Sequence, residues 1–234
     1  NGEVKSLFNP GESYGDFLIP GLLVLILQQT LLMGIAESVA KEREENTIYG
    51  LYSASNKSVW SAVVGKGSFY LLLFSSYAFL FFTLHFSIFK ISFRGSVIAV
   101  VIAAILFLVA AVYIAILASS FLKRKIVALQ IFAFTTYPVF LMSGYPWPHQ
   151  AMPWFIKYIS FFFPSTPFLN VFSRLTQMGA GWNDVIPELT HLTILALSAL
   201  VLARLRFGNL IKHSEAEISK EEKIGIDNLD LSEV

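Results

Sequence analysis

Residues 97–122 read VIAVVIAAILFLVAAVYIAILASSFL, twenty-six in a row without a charge. A helix needs about 20 mostly apolar residues to cross a hydrocarbon core of about 30 Å, so this run is a membrane span with room to tilt. Working outward, four more segments qualify: 17–36, 68–89, 126–142 (short, with Pro138 near its end) and 186–205. Each must be helical, because an open strand would leave backbone groups unsatisfied in lipid. The composition agrees. Of 234 residues 55% are hydrophobic and 14% charged, with a mean hydropathy of +0.63, whereas a soluble domain carries about 25% charged residues. Between Glu45 and Asp184 there is no Asp or Glu, the pattern expected where carboxylates are costly in hydrocarbon. The expected fold class is an all-α, polytopic transmembrane helical bundle, and a soluble enzyme is excluded.

Lys and Arg counts set the orientation. If the first span ends in the cytoplasm, ten basic residues lie inside: Lys41, Arg43, Lys57, Lys66, Lys123, Arg124, Lys125, Arg204, Arg206 and Lys212. Five lie outside: Lys5, Lys90, Arg94, Lys157 and Arg174. This puts Asn1 outside and Val234 inside, and an external start without a signal peptide implies a further span upstream. The chain has no Cys, so thiolate metal sites and Cys nucleophiles are excluded. The four histidines fall in different elements without metal-ligand spacing. Glu188 and His191 share a helical face, as a proton-linked pair or, better, through an interfacial hydrogen bond. Gly65-Lys66-Gly67-Ser68 is not a phosphate-binding loop, because the preceding glycine and strand are missing. No metal, cofactor, catalytic residue or nucleic-acid surface is expected.

The informative connection is 37–66, ESVAKEREENTIYGLYSASNKSVWSAVVGK. Glu37, Lys41, Glu42, Arg43, Glu44 and Glu45 follow the first span without a turn signal, so that helix should run on into water, with Glu37 and Lys41 paired at i, i+4. Asn46 reads as the stop, since Asn tolerates the left-handed conformation that ends helices. Thr47 can cap a second, short helix, whose Ile48, Leu51 and Tyr52 give it one apolar face. The result is a rigid knuckle, suited to docking in a groove of another protein or to lying on lipid headgroups. Within the spans, Gln28, Gln29 and Gln130 need hydrogen-bond partners, as helix glue or along a water-filled path. From Ser143 to Asp184 the chain is broken by five prolines yet rich in aromatics. A re-entrant or interfacial helical hairpin fits it, with Trp147, Trp154, Tyr158 and Trp182 at headgroup depth. Residues 213–234 read as a mobile, polar, mostly acidic tail.

The run VAKEREENTIYGLYSASNKSVWSAVVGK resembles the segment after the second span of ABC-2 type transporter permeases, through Glu42-Arg43-Glu44, Thr47, Leu51 and Gly65-Lys66. Asn46 stands where that family has Gly, and Ser55 roughly where it has Pro. A second segment, LMSGYPWPHQAMPWFIKYISFFFPSTPFLNVFSRLTQMGAGWNDV, resembles the family's stretch before its last span, through Ser143-Gly144, Met152-Pro153, Pro164, Arg174 and Gly179-Ala180. NPGESYGDFLIPGLL is similar to its approach to the second span. The resemblance implies an ABC-2 transmembrane domain over 1–212 holding the last five of six spans, with 213–234 a cytoplasmic tail. It further implies an exporter permease in a bacterial inner membrane, not itself an enzyme, with its C-terminus in the cytoplasm. The implied partners are a separate ATP-binding subunit, a second permease in a homo- or heterodimer, membrane lipids and a periplasmic adaptor. On that likeness Glu37, Lys41, Glu42, Arg43, Glu44, Asn46, Thr47 and Leu51 couple to the ATPase. Gly144, Met152, Pro153 and Pro164 belong to an external hairpin that closes the outer side of the path. The alternative, an ion-coupled secondary transporter, needs acids or broken helices at membrane depth.

Overall fold

The long apolar runs fold as helices because only a helix satisfies every backbone group within one lipid-embedded segment. The computed structural model describes residues 14–89, 95–147 and 151–230. Lys5, Lys90, Arg94, His149, the residues NPGES (9–13) and the last four of the tail lie outside that description, as does the side chain of His85. The described helices are α1 (Tyr14–Glu44), α2 (Ile48–Ala54), α3 (Val59–Phe89), α4 (Val97–Ser119), α5 (Lys125–Met142), α6 (Trp154–Ser160), α7 (Ser165–Thr176) and α8 (Ile186–Asp230). Among the described residues there is no strand. Five helices are long and apolar enough to cross a membrane: α1, α3, α4, α5 and α8. They are the five expected spans, so the chain is an integral membrane protein.

The helix limits depart from hydropathy alone in three places. Helix α1 does run on to Glu44. Helix α3 begins at Val59, nine residues before the expected start, because Ser58 caps it: the Ser61 N–H donates to Ser58 Oγ at 3.3 Å. Helix α8 runs to Asp230 as one rod of 45 residues, so the expected mobile tail is helical through that residue. The run HSEAEISKEEK contains neither Pro nor Gly, and its Glu, Lys and Ala favour helix.

Hydrophobicity does not drive helices together in lipid; close packing does, and small residues permit it. Helices α1 and α4 form the centre, α1 against α4 and α5, and α4 against α8. Ala103, Ala110, Ala111 and Ala115 of α4, and Ala199 and Ala203 of α8, are buried. About half of the apolar part of α1 and α4 is buried, 56% and 50%, against 17% for α3 and for α5. Those two helices therefore turn most of their surface to lipid or to a partner.

Helices α6 and α7 make the expected hairpin, at the end of the bundle opposite the elbow between α1 and α2. It is re-entrant. At its tip the Ser165 N–H donates to Gln28 Oε1 at 3.0 Å. Gln28 lies fourteen residues along α1 from its start at Tyr14, about 21 Å at 1.5 Å per residue. Helix α7 is buried along most of its length, and Phe168 stacks on Phe107 of α4 at 4.6 Å. Trp147, Trp154, Tyr158 and Trp182 are exposed at this end.

Candidate functional site

The end of α1 is anchored to several helices. Glu45 N–H donates to the Lys41 carbonyl, and Thr47 N–H reaches back to the Glu42 carbonyl at 2.9 Å. With Asn46 at φ 55° between them, this is a Schellman-type stop. Thr47 occupies the position before α2 but does not cap it; its hydroxyl turns back to the Glu42 carbonyl at 3.5 Å. Lys41 pairs with Glu45 at 3.9 Å, not with Glu37, which is exposed.

Three consecutive residues then tie α1 to three different helices. Glu42 Oε1 accepts from Lys66 Nζ of α3 at 2.5 Å, and Lys66 also donates to Ser38 Oγ at 2.8 Å. The pair is largely buried, with side-chain exposures of 7% for Lys66 and 21% for Glu42. Arg43 Nη1 donates to the Ser120 carbonyl at 2.6 Å, satisfying an orphan acceptor at the negative end of the α4 dipole. Glu44 Oε2 accepts from the Lys125 N–H at 3.0 Å. Helix α5 has no side-chain cap of its own, so Glu44 supplies a negative charge and an acceptor at its positive end.

The apolar face of α2 is spent within the chain. Ile48 is buried against Leu210 and Ile211 of α8, with Tyr52 and Val59 beside them, and Leu51 packs on the main core. Gly50, Ser53 and Ala54 face outward. The turn after α2, where Ser55 replaces the family's Pro, is made by Asn56 and Lys57 at φ 53° and 54°.

Of the three amides, Gln28 and Gln29 are buried and Gln130 is exposed. Gln29 Nε2 donates to the Phe132 carbonyl at 3.0 Å and to Thr136 Oγ1 at 2.7 Å, joining α1 to α5. Gln28 holds the hairpin tip, as above. Each amide thus bonds to another element of the bundle. Gln130 faces away from the bundle on α5.

The far end is closed by the segment around the hairpin. Gly144 takes φ 81°, turning the chain so that Tyr145 packs against Gly21, where an added Cβ would lie 2.3 Å from the ring. Burial pushes the Tyr145 phenol up to about 12, while its bonds to Gln177 and Ser173 act the other way. Met152 is buried, Pro153 precedes α6 and Pro164 precedes α7. Arg174 pairs with Glu188 at 2.7 Å, and His191 Nε2 meets the Phe161 carbonyl at 2.9 Å. Glu188 and His191 thus each hold the hairpin and not one another. Between the C-terminal half of α3 and the N-terminal half of α4 lies an apolar cleft of about 610 Å³ lined by Ala78, Phe79, Phe82 and Leu108.

Sequence reasoning missed Lys66 as the partner of Glu42. The available signal was its isolation: a lone cation inside an apolar helix needs an acid nearby.

A family described as ABC-2 family transporter protein matches the chain over residues 1–205. Two curated relatives, each called "Probable multidrug ABC transporter permease YbhR", come from Escherichia coli strain K12 and Escherichia coli O157:H7. Each is 25% identical over 191 residues, covering 80% of this chain and 51% of the relative. The chain spans about half the length of the curated relatives it matches.

Proposed function

This chain belongs to the ABC-2 family of transporter proteins, and from that premise we propose that it is the membrane-spanning part of an ATP-driven exporter. ATP is hydrolysed on a separate subunit, and a second permease completes the path. The elbow of α1 and α2 receives the motion of the ATPase and passes it to the spans. The observation that carries this reading is the triple tie of Glu42, Arg43 and Glu44 to α3, α4 and α5. A push on the elbow cannot move α1 alone; it moves four helices as a unit. The outward face of α2 is the contact surface, because its apolar face is already covered by α8.

On this reading the elbow lies in the cytoplasm with the C-terminal helix, the membrane is a bacterial inner membrane, and the hairpin closes the outer side. The exposed surfaces of α3 and α5, with Gln130, meet lipid or the second permease. A periplasmic adaptor would continue the route outward. The word "multidrug" in the relatives' names and the apolar cleft between α3 and α4 favour hydrophobic compounds as cargo. The alternative of ion-coupled transport is disfavoured: the buried polar side chains at the middle of α1 are the neutral amides Gln28 and Gln29.

Gly50 offers a direct test, since nothing lies within 4 Å of a Cβ added there. Gly50→Trp should leave thermal stability unchanged but abolish co-purification of the ATPase subunit and transport. Reversing Glu42 and Glu44 to Lys should instead uncouple transport from ATP hydrolysis. Normal assembly and normal transport in both variants would overturn the coupling role.

A further inference from the structure

Beneath the elbow, the end of α1, the α4–α5 connection and α8 enclose a pocket of about 260 Å³. That is below the roughly 300 Å³ at which drug-sized sites begin. Arg43, Lys123 and Arg206 line it together with Glu42 and His213. Arg206 lies close enough to Arg43 for the two like charges to act on each other. The carboxylate present, Glu42, is engaged by Lys66 through Oε1, its Oε2 buried without a hydrogen-bond partner, and none of the ion pairs among the described residues includes Arg43, Lys123 or Arg206. Arg206 Nε is buried with no hydrogen-bond partner. Three cations thus meet without an anion of their own, an arrangement whose repulsion a bound anion would relieve.

The position selects the kind of anion. Lys123 on the pocket wall lies four residues beyond the end of α4 at Ser119, at the boundary between apolar and polar chain. Phe121, 60% exposed, lies under the Arg206 guanidinium at 4.6 Å, and Ile126, five residues on in the chain, is 62% exposed. Phosphate-binding cations next to uncovered apolar side chains suit an amphiphile with an anionic head, and basic pockets between spans bind such headgroups. We propose that Arg43, Lys123 and Arg206 seat the phosphate of an anionic phospholipid, whose chains lie along Phe121 and Ile126. The lipid neutralises the cations and holds α8 to α1 beneath the elbow, whatever partner grips the elbow from outside.

The test uses the full chain purified in detergent and stripped of lipid, read by native mass spectrometry and thermal unfolding. Phosphatidylglycerol should be retained and raise Tm, while phosphatidylcholine and inorganic phosphate at equal concentration should do neither. Lys123→Gln with Arg206→Gln should weaken phosphatidylglycerol binding about 30-fold, as expected for two cations near a lipid surface. Lys123→Arg with Arg206→Lys should keep it. Should the first double variant fail to fold, Lys123→Gln alone, at an exposed position, should weaken binding about fivefold. Equal binding of both lipids, unchanged binding in the neutralised variants, or displacement of phosphatidylglycerol by inorganic phosphate would each overturn the proposal. The last outcome would mark a site for a soluble anion.

Discussion

The two ends of the bundle are held by different means. At the elbow, Glu42, Arg43 and Glu44 reach three helices through charge-assisted bonds. At the far end the hairpin is held mainly by packing, with Phe168 and Phe172 buried, a single amide, Gln28, at its tip, and the Arg174–Glu188 pair and His191 at its base. Charged ties are directional and stiff, so they transmit a displacement. A hairpin held by packing, one neutral bond at its tip and the Arg174–Glu188 pair is anchored by shape more than by a row of charges. On the proposed reading, the charged elbow is the end that is driven.

Breaking the elbow should have the largest effect. Lys66→Ala leaves Glu42 buried without its partner and should cost about 3–5 kcal/mol, seen as a large drop in Tm in detergent. Replacing both residues, Lys66→Met with Glu42→Leu, should recover most of that loss; equal destabilisation would show that the pair's charge is not what matters. A smaller effect is expected at the bend. Asn46→Ala places a Cβ-bearing, non-bonding residue at φ 55° and should cost about 1–2 kcal/mol, whereas Asn46→Gly should be near neutral. The smallest belongs to the hairpin. Gln28→Leu removes the acceptor for the Ser165 N–H and should cost about 0.6 kcal/mol, yet speed hydrogen exchange around Ser165 noticeably. A loss there as large as that of Lys66→Ala would erase the difference between the two ends.

The elbow shows how far local sequence carries. The stem to Glu44, the stop at Asn46 and the short helix after it were all legible, because helix propensity and left-handed tolerance are properties of neighbouring residues. The partners were not. Lys41 chose Glu45 over Glu37, Thr47 turned back to Glu42, and Lys66, Ser120 and Lys125 met the stem from 24, 77 and 81 residues away. The apolar face of α2 was equally visible, but its target, Leu210 and Ile211, sits on a helix that hydropathy alone ends near Leu205.

By itself the sequence determined five spans, their helical state and a helical hairpin before the last of them, because lipid leaves backbone groups no other solution and long apolar runs are local facts. Only the tertiary structure decided which spans lie at the centre, that Gln28 pins the hairpin tip while Gln29 binds α5, and that three successive charges grip three helices. Those outcomes depend on which surfaces of separate rods come into contact. That is set by the shape of small residues at close crossings, and no single stretch of chain encodes it.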